Sequence, residues 1–129
     1  MRYGHFSPEG TEFIVTQPAT PRPWFNYLFN DTYHCLISQT GGGFSYFMDP
    51  KYYRILRYDH LSSDRPGRYL YIKDAAPARG VSAPGGKGTF WSPNWQPICK
   101  PLKSWECRHT FGSTTITASH DGIRSSAAY

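Results

Sequence analysis

The chain contains 129 residues, a length that fits one domain and is short for two. Hydrophobic residues make up 39% of it and aromatic residues 17%, so tyrosine, phenylalanine and tryptophan must supply much of any core. The formal net charge of +5 is compatible with an anionic partner, but the basic residues are scattered, and we therefore expect no nucleic-acid partner. No stretch approaches the ~20 apolar residues of a membrane span, so we expect no membrane partner either.

The first ten residues and the cysteines indicate a compartment. The segment "MRYGHFSPEG" lacks the apolar core of a secretory signal. The three cysteines, Cys35, Cys99 and Cys107, are an odd number without a paired spacing, which favours free thiols in a reducing environment. We therefore expect the protein to be cytoplasmic.

Period-two alternation of apolar and polar residues predicts strands along most of the chain, and no 3.6-residue period indicates a helix. In chain order, strands are predicted over residues 12–17, 33–39, 44–48 and 53–58, and another strand follows the 64–67 turn and ends at residue 73. Two short extended pieces are predicted within 89–100, and two further strands over 104–111 and 113–120. Turns are predicted at 64–67 and, as a hairpin, at Asp121-Gly122. The predicted fold class is an all-β, antiparallel β-sandwich.

Two segments bear on domain organisation. Residues 75–88, "AAPARGVSAPGGKG", are of low complexity and predict a flexible loop. The final "GIRSSAAY" reads as an open strand pattern, which would leave an unpaired sheet edge. We therefore expect residues 1–129 to form a single, partial sandwich domain that is truncated at its C-terminus.

Three consecutive glycines, Gly41, Gly42 and Gly43, precede an aromatic run in "SQTGGGFSYFMDP". A phosphate-binding P-loop needs a lysine directly after its last glycine, and no lysine follows before Lys51. A dinucleotide loop needs a helix at this point, where the sequence alternates like a strand. The pattern instead predicts a tight strand connection or bulge, in which close packing excludes a Cβ atom.

No catalytic or metal-binding motif is evident. Five histidines and many serines are present without a GxSxG elbow. Cys107 and His109 share one strand face and could form a thiolate–imidazole pair, although ordinary core or surface neighbours are the favoured interpretation. No CxxC or HExxH spacing predicts a zinc site. Among the nine acidic residues, Asp31, Asp49, Asp64 and Asp121 occupy evident turns, where a carboxylate caps backbone amides. We therefore assign no catalytic residue and no metal ligand, and substrate-binding residues stay unknown.

Aromatic and arginine residues interleave in "KYYRILRYDHLSSDRPGRYLYIK". On an open sheet such side chains stack bases and hold phosphates, or stack the C–H faces of sugars. The third interpretation, which we favour, is that one face packs into a sandwich while the other carries arginine stems over exposed rings. The residues concerned are Tyr52, Tyr53, Tyr58, Tyr69, Tyr71, Arg54, Arg57, Arg65 and Arg68.

A series of motifs along almost the whole chain resembles the N-terminal region of the glycoside hydrolase family 94 phosphorylases, which include cellobiose, cellodextrin and chitobiose phosphorylases. The motifs are, in order, "MRYGHF", "TPRPWFNYL", "SQTGGGFSYFMDPKYYRILRY", "DRPGRYLYIKD", "WSPNWQPI" and "WECRHTFG". The chain departs from the family pattern in two places. Residues 110–113 read Thr-Phe-Gly-Ser where the family usually has Gly-Leu-Gly-Tyr, and the 75–88 loop is longer than usual.

The resemblance implies a parent enzyme with an N-terminal β-sandwich, a helical linker and an (α/α)6 barrel, of which this chain resembles about the first half of the sandwich. It also implies phosphorolysis of a β-linked disaccharide or oligosaccharide with inversion, a catalytic Asp and phosphate site in the barrel, phosphate as co-substrate, no cofactor, and a homodimer. This segment alone would be inactive, serving as scaffold and dimer contact with possible sugar contact. The alternative function is a stand-alone carbohydrate-binding β-sandwich module.

Overall fold

The computed structural model describes residues 2–56, 58, 67–73 and 90–129. These residues form ten β-strands and no helix, and they contain no helix long and apolar enough to cross a membrane. The strands are β1 (Gly4–Phe6), β2 (Glu12–Val15), β3 (Phe25–Phe29), β4 (Tyr33–Ser38), β5 (Ser45–Phe47), β6 (Ile72–Lys73), β7 (Phe90–Trp91), β8 (Ser104–Thr110), β9 (Thr114–His120) and β10 (Ile123–Ala128).

The larger sheet has five antiparallel strands in the order β1-β2-β8-β9-β10. Its inner face is apolar because alternate residues of the central strands point inward, and Val15, Cys107 and Ile116 are fully buried there. Partly buried aromatic residues, Trp24 and Tyr129 among them, pack against these three. The sandwich core therefore lies against the middle of this sheet.

The second sheet has the order β3-β4-β5 and is also antiparallel. Asn26 of β3 joins it to the larger sheet, because its side-chain amide donates to the carbonyls of Thr110 (2.7 Å) and Ser113 (3.0 Å) at the β8–β9 turn. Ile37, which lies opposite Asn26 in the register, is fully buried. A third sheet consists of β6 and β7 alone.

The all-β, antiparallel fold class is confirmed, and the predicted strands at 12–17, 33–39, 44–48, 104–111 and 113–120 each contain an observed strand. The Asp121-Gly122 hairpin is also confirmed: it connects β9 to β10, with φ of +47° and +81° at its two residues. The predictions missed β1 and β3.

Two strand predictions are wrong or too long. Within 53–58, residues 53–56 and 58 form no strand and only one bridge, between Tyr46 and Arg54. Of the predicted range 89–100 the structure describes 90–100, where Phe90–Trp91 is the one strand. Turns follow at 93–94 and 96–99, with a cis peptide before Pro97 and positive φ at Trp95 and Cys99. The predicted flexible loop at 75–88, and most of the predicted turn at 64–67, lie outside the described residues.

Candidate functional site

The glycine run forms the tight connection from β4 to β5. The Ser38 amide donates to the Gly42 carbonyl (2.7 Å), and the Gly42 amide donates to the Ser38 hydroxyl (3.0 Å). Gly41 and Gly43 have φ of +76° and +138°, which side-chain-bearing residues rarely adopt, and a Cβ at Gly43 would overlap the Leu36 carbonyl. The predicted tight connection is therefore confirmed. The amides of Gly41 and Gly42 are bonded within the turn, so they do not form a phosphate cradle.

A polar network packs against this turn. The side-chain amide of Asn94, itself almost fully buried, donates to the Tyr129 hydroxyl (2.7 Å), and a Cβ at Gly41 would overlap that amide. Arg68 Nε donates to the Gly41 carbonyl (3.3 Å), and its guanidinium carbon lies 4.9 Å from the Tyr129 ring centroid. Residues 41, 68, 94 and 129, all outside the strands, are thereby held together.

The guanidinium of Arg68 has more N–H donors than it has hydrogen-bond acceptors around it. Its Nη1 lies 3.9 Å from Cys35 Sγ, a weak acceptor, and its Nη2 is buried without a hydrogen-bond partner. The ion pairs formed by the described residues join Arg108 to two glutamates and His120 to Asp121, and none involves Arg68. In the described part of the chain, this guanidinium therefore has no carboxylate partner.

An open groove of about 410 Å³ lies beside Arg68. It lies between the β3–β4 hairpin, the β8–β9 turn and the residue after β10, and it is lined mainly by Leu28, Phe29, Tyr33, Phe111 and Tyr129, with Asn30, Cys35 and Arg68 as polar groups. Phe111, at the tip of the β8–β9 turn, is 92% exposed. The volume falls within the range of roughly 300–1,000 Å³ that small-molecule sites occupy.

A row of rings crosses the outer face of the three-stranded sheet. Phe29, His34 and Tyr46 are directly opposite one another on β3, β4 and β5, and Arg54 continues the row. The His34 ring stacks on both neighbours, with centroid distances of 6.0 Å to Phe29 and 4.7 Å to Tyr46. Phe29 is 76% exposed, so this row offers an aromatic surface to solvent.

The interleaved aromatic and arginine residues do not share one sheet face. Tyr69 and Tyr71 stack at 6.2 Å and continue onto Phe90, whereas Tyr58 packs edge-on against Phe25 and Tyr53 against Phe47. Of the arginines, Arg54 lies over the Phe44 ring, Arg68 is drawn into the groove, and Arg57 and Arg65 lie outside the described residues. The described residues thus support mixed packing and arginine-over-ring contacts rather than one continuous binding platform.

Cys107 and His109 are neighbours but do not form a thiolate–imidazole pair. Cys107 Sγ lies 3.7 Å from His109 Nε2, while His109 Nδ1 lies 2.9 Å from the Thr114 hydroxyl. Burial, together with the charge of Glu106, raises the pKa of the Cys107 thiol far above its ordinary value. Burial lowers the pKa of His109 to about 4, although a hydrogen bond to the Trp24 backbone opposes the shift. Both groups are therefore neutral, as expected of core neighbours.

The predicted carboxylate cap is confirmed at Asp49 and is wrong at Asp31. Asp49 accepts from the amides of Lys51 (2.7 Å) and Tyr52 (3.2 Å), as predicted for a turn cap. In the turn at Asp31 the cap is its neighbour Asn30, whose side chain accepts from the Tyr33 amide (2.8 Å). Among the described residues no group of three or more His, Cys, Asp or Glu side chains could hold a metal ion.

Sequence reasoning missed the groove and most of its lining. Asn94 and Tyr129 carried no signal, because their partners are far away in the chain. Phe111 could have been found from the sequence. It is a large apolar residue beside Gly112 at a hairpin tip, where it is exposed, and exposed loop residues often bind ligands.

Comparisons with known proteins identify the family. The model of the glycosyl hydrolase 94 supersandwich domain matches residues 11–129. The chain is 40% identical to 3-O-β-D-glucopyranosyl-β-D-glucuronide phosphorylase of Paenibacillus borealis, over 96% of this chain and 14% of that protein. It is 33% identical to N,N'-diacetylchitobiose phosphorylase of Vibrio furnissii (95% and 14%) and 31% identical to solabiose phosphorylase of P. borealis (97% and 15%). The chain thus spans about a seventh of these relatives, and it belongs to the glycosyl hydrolase 94 supersandwich family.

Proposed function

We propose that the protein carrying this chain is an inverting phosphorylase that cleaves a β-linked disaccharide or oligosaccharide with inorganic phosphate. The observation that carries the proposal is the match of residues 11–129 to the family's supersandwich domain. Three relatives that match nearly the whole chain, at 31–40% identity, are themselves named as disaccharide phosphorylases. The substrate of this protein is proposed only as a class.

In the proposed reaction a carboxylic acid protonates the glycosidic oxygen, and a phosphate oxygen attacks the anomeric carbon from the opposite face. The C–O bond to the leaving sugar breaks as the new C–O bond to phosphate forms, so a β-linkage yields an α-sugar 1-phosphate and a shortened sugar. This is the inverting glycosidase geometry with phosphate in place of water. The acid and the phosphate site are assigned to the barrel, and no residue of this chain is assigned to the chemistry.

The proposed role of this chain is to serve as scaffold for that active site and as contact between two copies of the enzyme. Its buried apolar core and tightly bonded glycine turn support a scaffold role. Exposed rings such as Phe29 and Phe111 support contact with a partner surface or a sugar. We propose a homodimer in the cytoplasm that needs no cofactor; the free state of Cys35, Cys99 and Cys107 supports a reducing compartment.

The experiment that tests the proposal incubates the full protein with cellobiose, laminaribiose, chitobiose and cellobionic acid, with and without phosphate, and quantifies sugar 1-phosphate. Product that depends on phosphate supports the proposal and identifies the substrate class. A folded protein that yields no product from this panel, but binds β-glucans without cleaving them, would favour the alternative of a carbohydrate-binding module, which the exposed rings also fit.

A further inference from the structure

We propose that the groove beside Arg68 is a binding site for the carboxylate of a hexuronic acid, with the guanidinium of Arg68 as its anion-binding group. The inference rests on the proposed function only in taking a sugar as the ligand. The residues themselves supply the preference for a sugar that carries a negative charge.

The charge of the groove is the first argument. Among the described residues that line it, Arg68 is the one charged side chain, and none of the described carboxylates lies within ion-pair distance of that guanidinium. A partly buried cation without a counter-charge is unfavourable, and an entering carboxylate would supply the missing charge. The acceptor nearest its Nη1 is Cys35 Sγ, 3.9 Å away, and a carboxylate oxygen is a much stronger acceptor than that sulfur.

The position of the guanidinium is the second argument. Its contact with the Tyr129 ring and its hydrogen bond to the Gly41 carbonyl fix the plane of the guanidinium. Gly41 is itself held in place by the bonded turn that follows β4. A pre-positioned arginine loses less side-chain freedom on binding than one free in solvent.

The walls of the groove indicate the rest of the ligand. Phe29, Tyr33 and Phe111 present ring surfaces that suit the C–H face of a pyranose, and Asn30 offers an amide for its hydroxyl groups. A phosphate site would be expected to offer several cations or a series of free backbone amides, and this groove offers one arginine. The volume of about 410 Å³ accommodates a sugar ring with its solvent.

The test measures binding of glucuronate, glucose and inorganic phosphate to the full protein by calorimetry, and locates the ligand by hydrogen exchange of the β8–β9 turn. We expect glucuronate to bind at least about tenfold more tightly than glucose, because a charge-assisted hydrogen bond raises affinity by about that factor or more. Arg68→Gln should remove the difference between the two sugars. The matched control is Arg54→Gln, an exposed arginine outside the groove, which should keep it.

A second variant keeps the test informative if Arg68→Gln does not fold. Phe111→Ala removes an exposed groove wall and should leave the fold intact while weakening glucuronate binding several-fold. The proposal is overturned if folded Arg68→Gln still prefers glucuronate, if Phe111→Ala binds glucuronate as the parent does, or if phosphate competes as well as glucuronate. Sugar 1-phosphate is assayed in parallel. If the protein prefers glucuronate through Arg68 but forms no sugar 1-phosphate, the proposed function is wrong and this inference stands. If it forms sugar 1-phosphate but shows no such preference, this inference is wrong and the proposed function stands.

Discussion

The inner face of the five-stranded sheet and the β4–β5 turn are both buried, but different interactions stabilise them. Val15, Cys107 and Ile116 form an apolar core against the sheet, where burial of hydrocarbon surface dominates. The turn buries a continuous run of polar and glycine residues, 38–43, whose groups bond to each other and to neighbouring segments. The core should therefore tolerate similar apolar side chains, whereas the turn should tolerate almost no added atom.

Gly43→Ala should give the largest loss of stability. The new Cβ would overlap the Leu36 carbonyl at a backbone φ of +138°, so the β4–β5 connection must rearrange, and we expect a loss of about 4 kcal/mol or more. Native-state hydrogen exchange of the β4 and β5 amides measures it. Gly112→Ala is the matched control, because no atom lies within 4 Å of its new Cβ. Equal effects of the two changes would contradict the account of the turn.

Ile116→Ala should follow, with a loss of about 2–5 kcal/mol. The side chain is fully buried beside Val15 and Cys107, so its removal costs both transfer free energy and a cavity. Ile116→Val should lose only about 1 kcal/mol, because most of the volume is kept. Exchange protection of β8 and β9 reports the change. A loss for Ile116→Val as large as that for Ile116→Ala would show that this core is as intolerant as the turn.

Asn94→Ala should destabilise the turn by about 1–3 kcal/mol. The buried amide donates to the Tyr129 hydroxyl, and its loss leaves that hydroxyl without this donor next to Gly41. Tyr129→Phe is the matched variant, since it removes the same hydrogen bond from the other side. If the two changes act through one bond, the double variant should lose less than the sum of the singles. Strict additivity would mean that the bond does not support the turn.

Mild acid, down to about pH 5.5, should weaken the five-stranded sheet by a smaller amount, about 1 kcal/mol. Burial lowers the pKa of His109 to about 4, below its ordinary value of 6.5, so the unfolded chain binds the extra proton first. Stability is therefore complete above pH 6.5 and falls as the pH drops toward 4, by at most about 1.4 kcal/mol per pH unit. His109→Gln should flatten this slope in unfolding measured from pH 7 to 5. An unchanged slope in His109→Gln would assign the acid sensitivity to another group.

The sequence pattern predicted strands β8 and β9, because apolar and polar residues alternate along them. In β8 and β9 the buried residues Cys107, Ile116 and Ala118 occupy inward positions of a period-two pattern, and Asp121-Gly122 specifies the hairpin that follows. The glycine turn was also predictable in kind, because three adjacent glycines between strands favour close backbone packing. Strand β3 was missed because its five residues are nearly all large and apolar and follow closely on three prolines.

The groove was not predictable because its residues meet only through the fold. Arg68, Phe111 and Tyr129 come from three segments far apart in the sequence, and no local pattern sets their separation. The predicted strand at 53–58 failed for a local reason. Asp49 caps a turn over Lys51 and Tyr52, and of the described residues that follow only Arg54 forms a bridge to β5, so the preceding turn overrides local β-propensity.

The most direct test of the central claim, that this chain supports a phosphorylase without taking part in its chemistry, uses Gly42→Val in the full protein. Initial rates of sugar 1-phosphate formation, corrected for the folded fraction, give kcat and the KM for phosphate. We expect a smaller folded fraction, since Gly42 is buried in the bonded turn, with kcat and the KM for phosphate per folded molecule unchanged. A raised KM for phosphate at unchanged stability would contradict it.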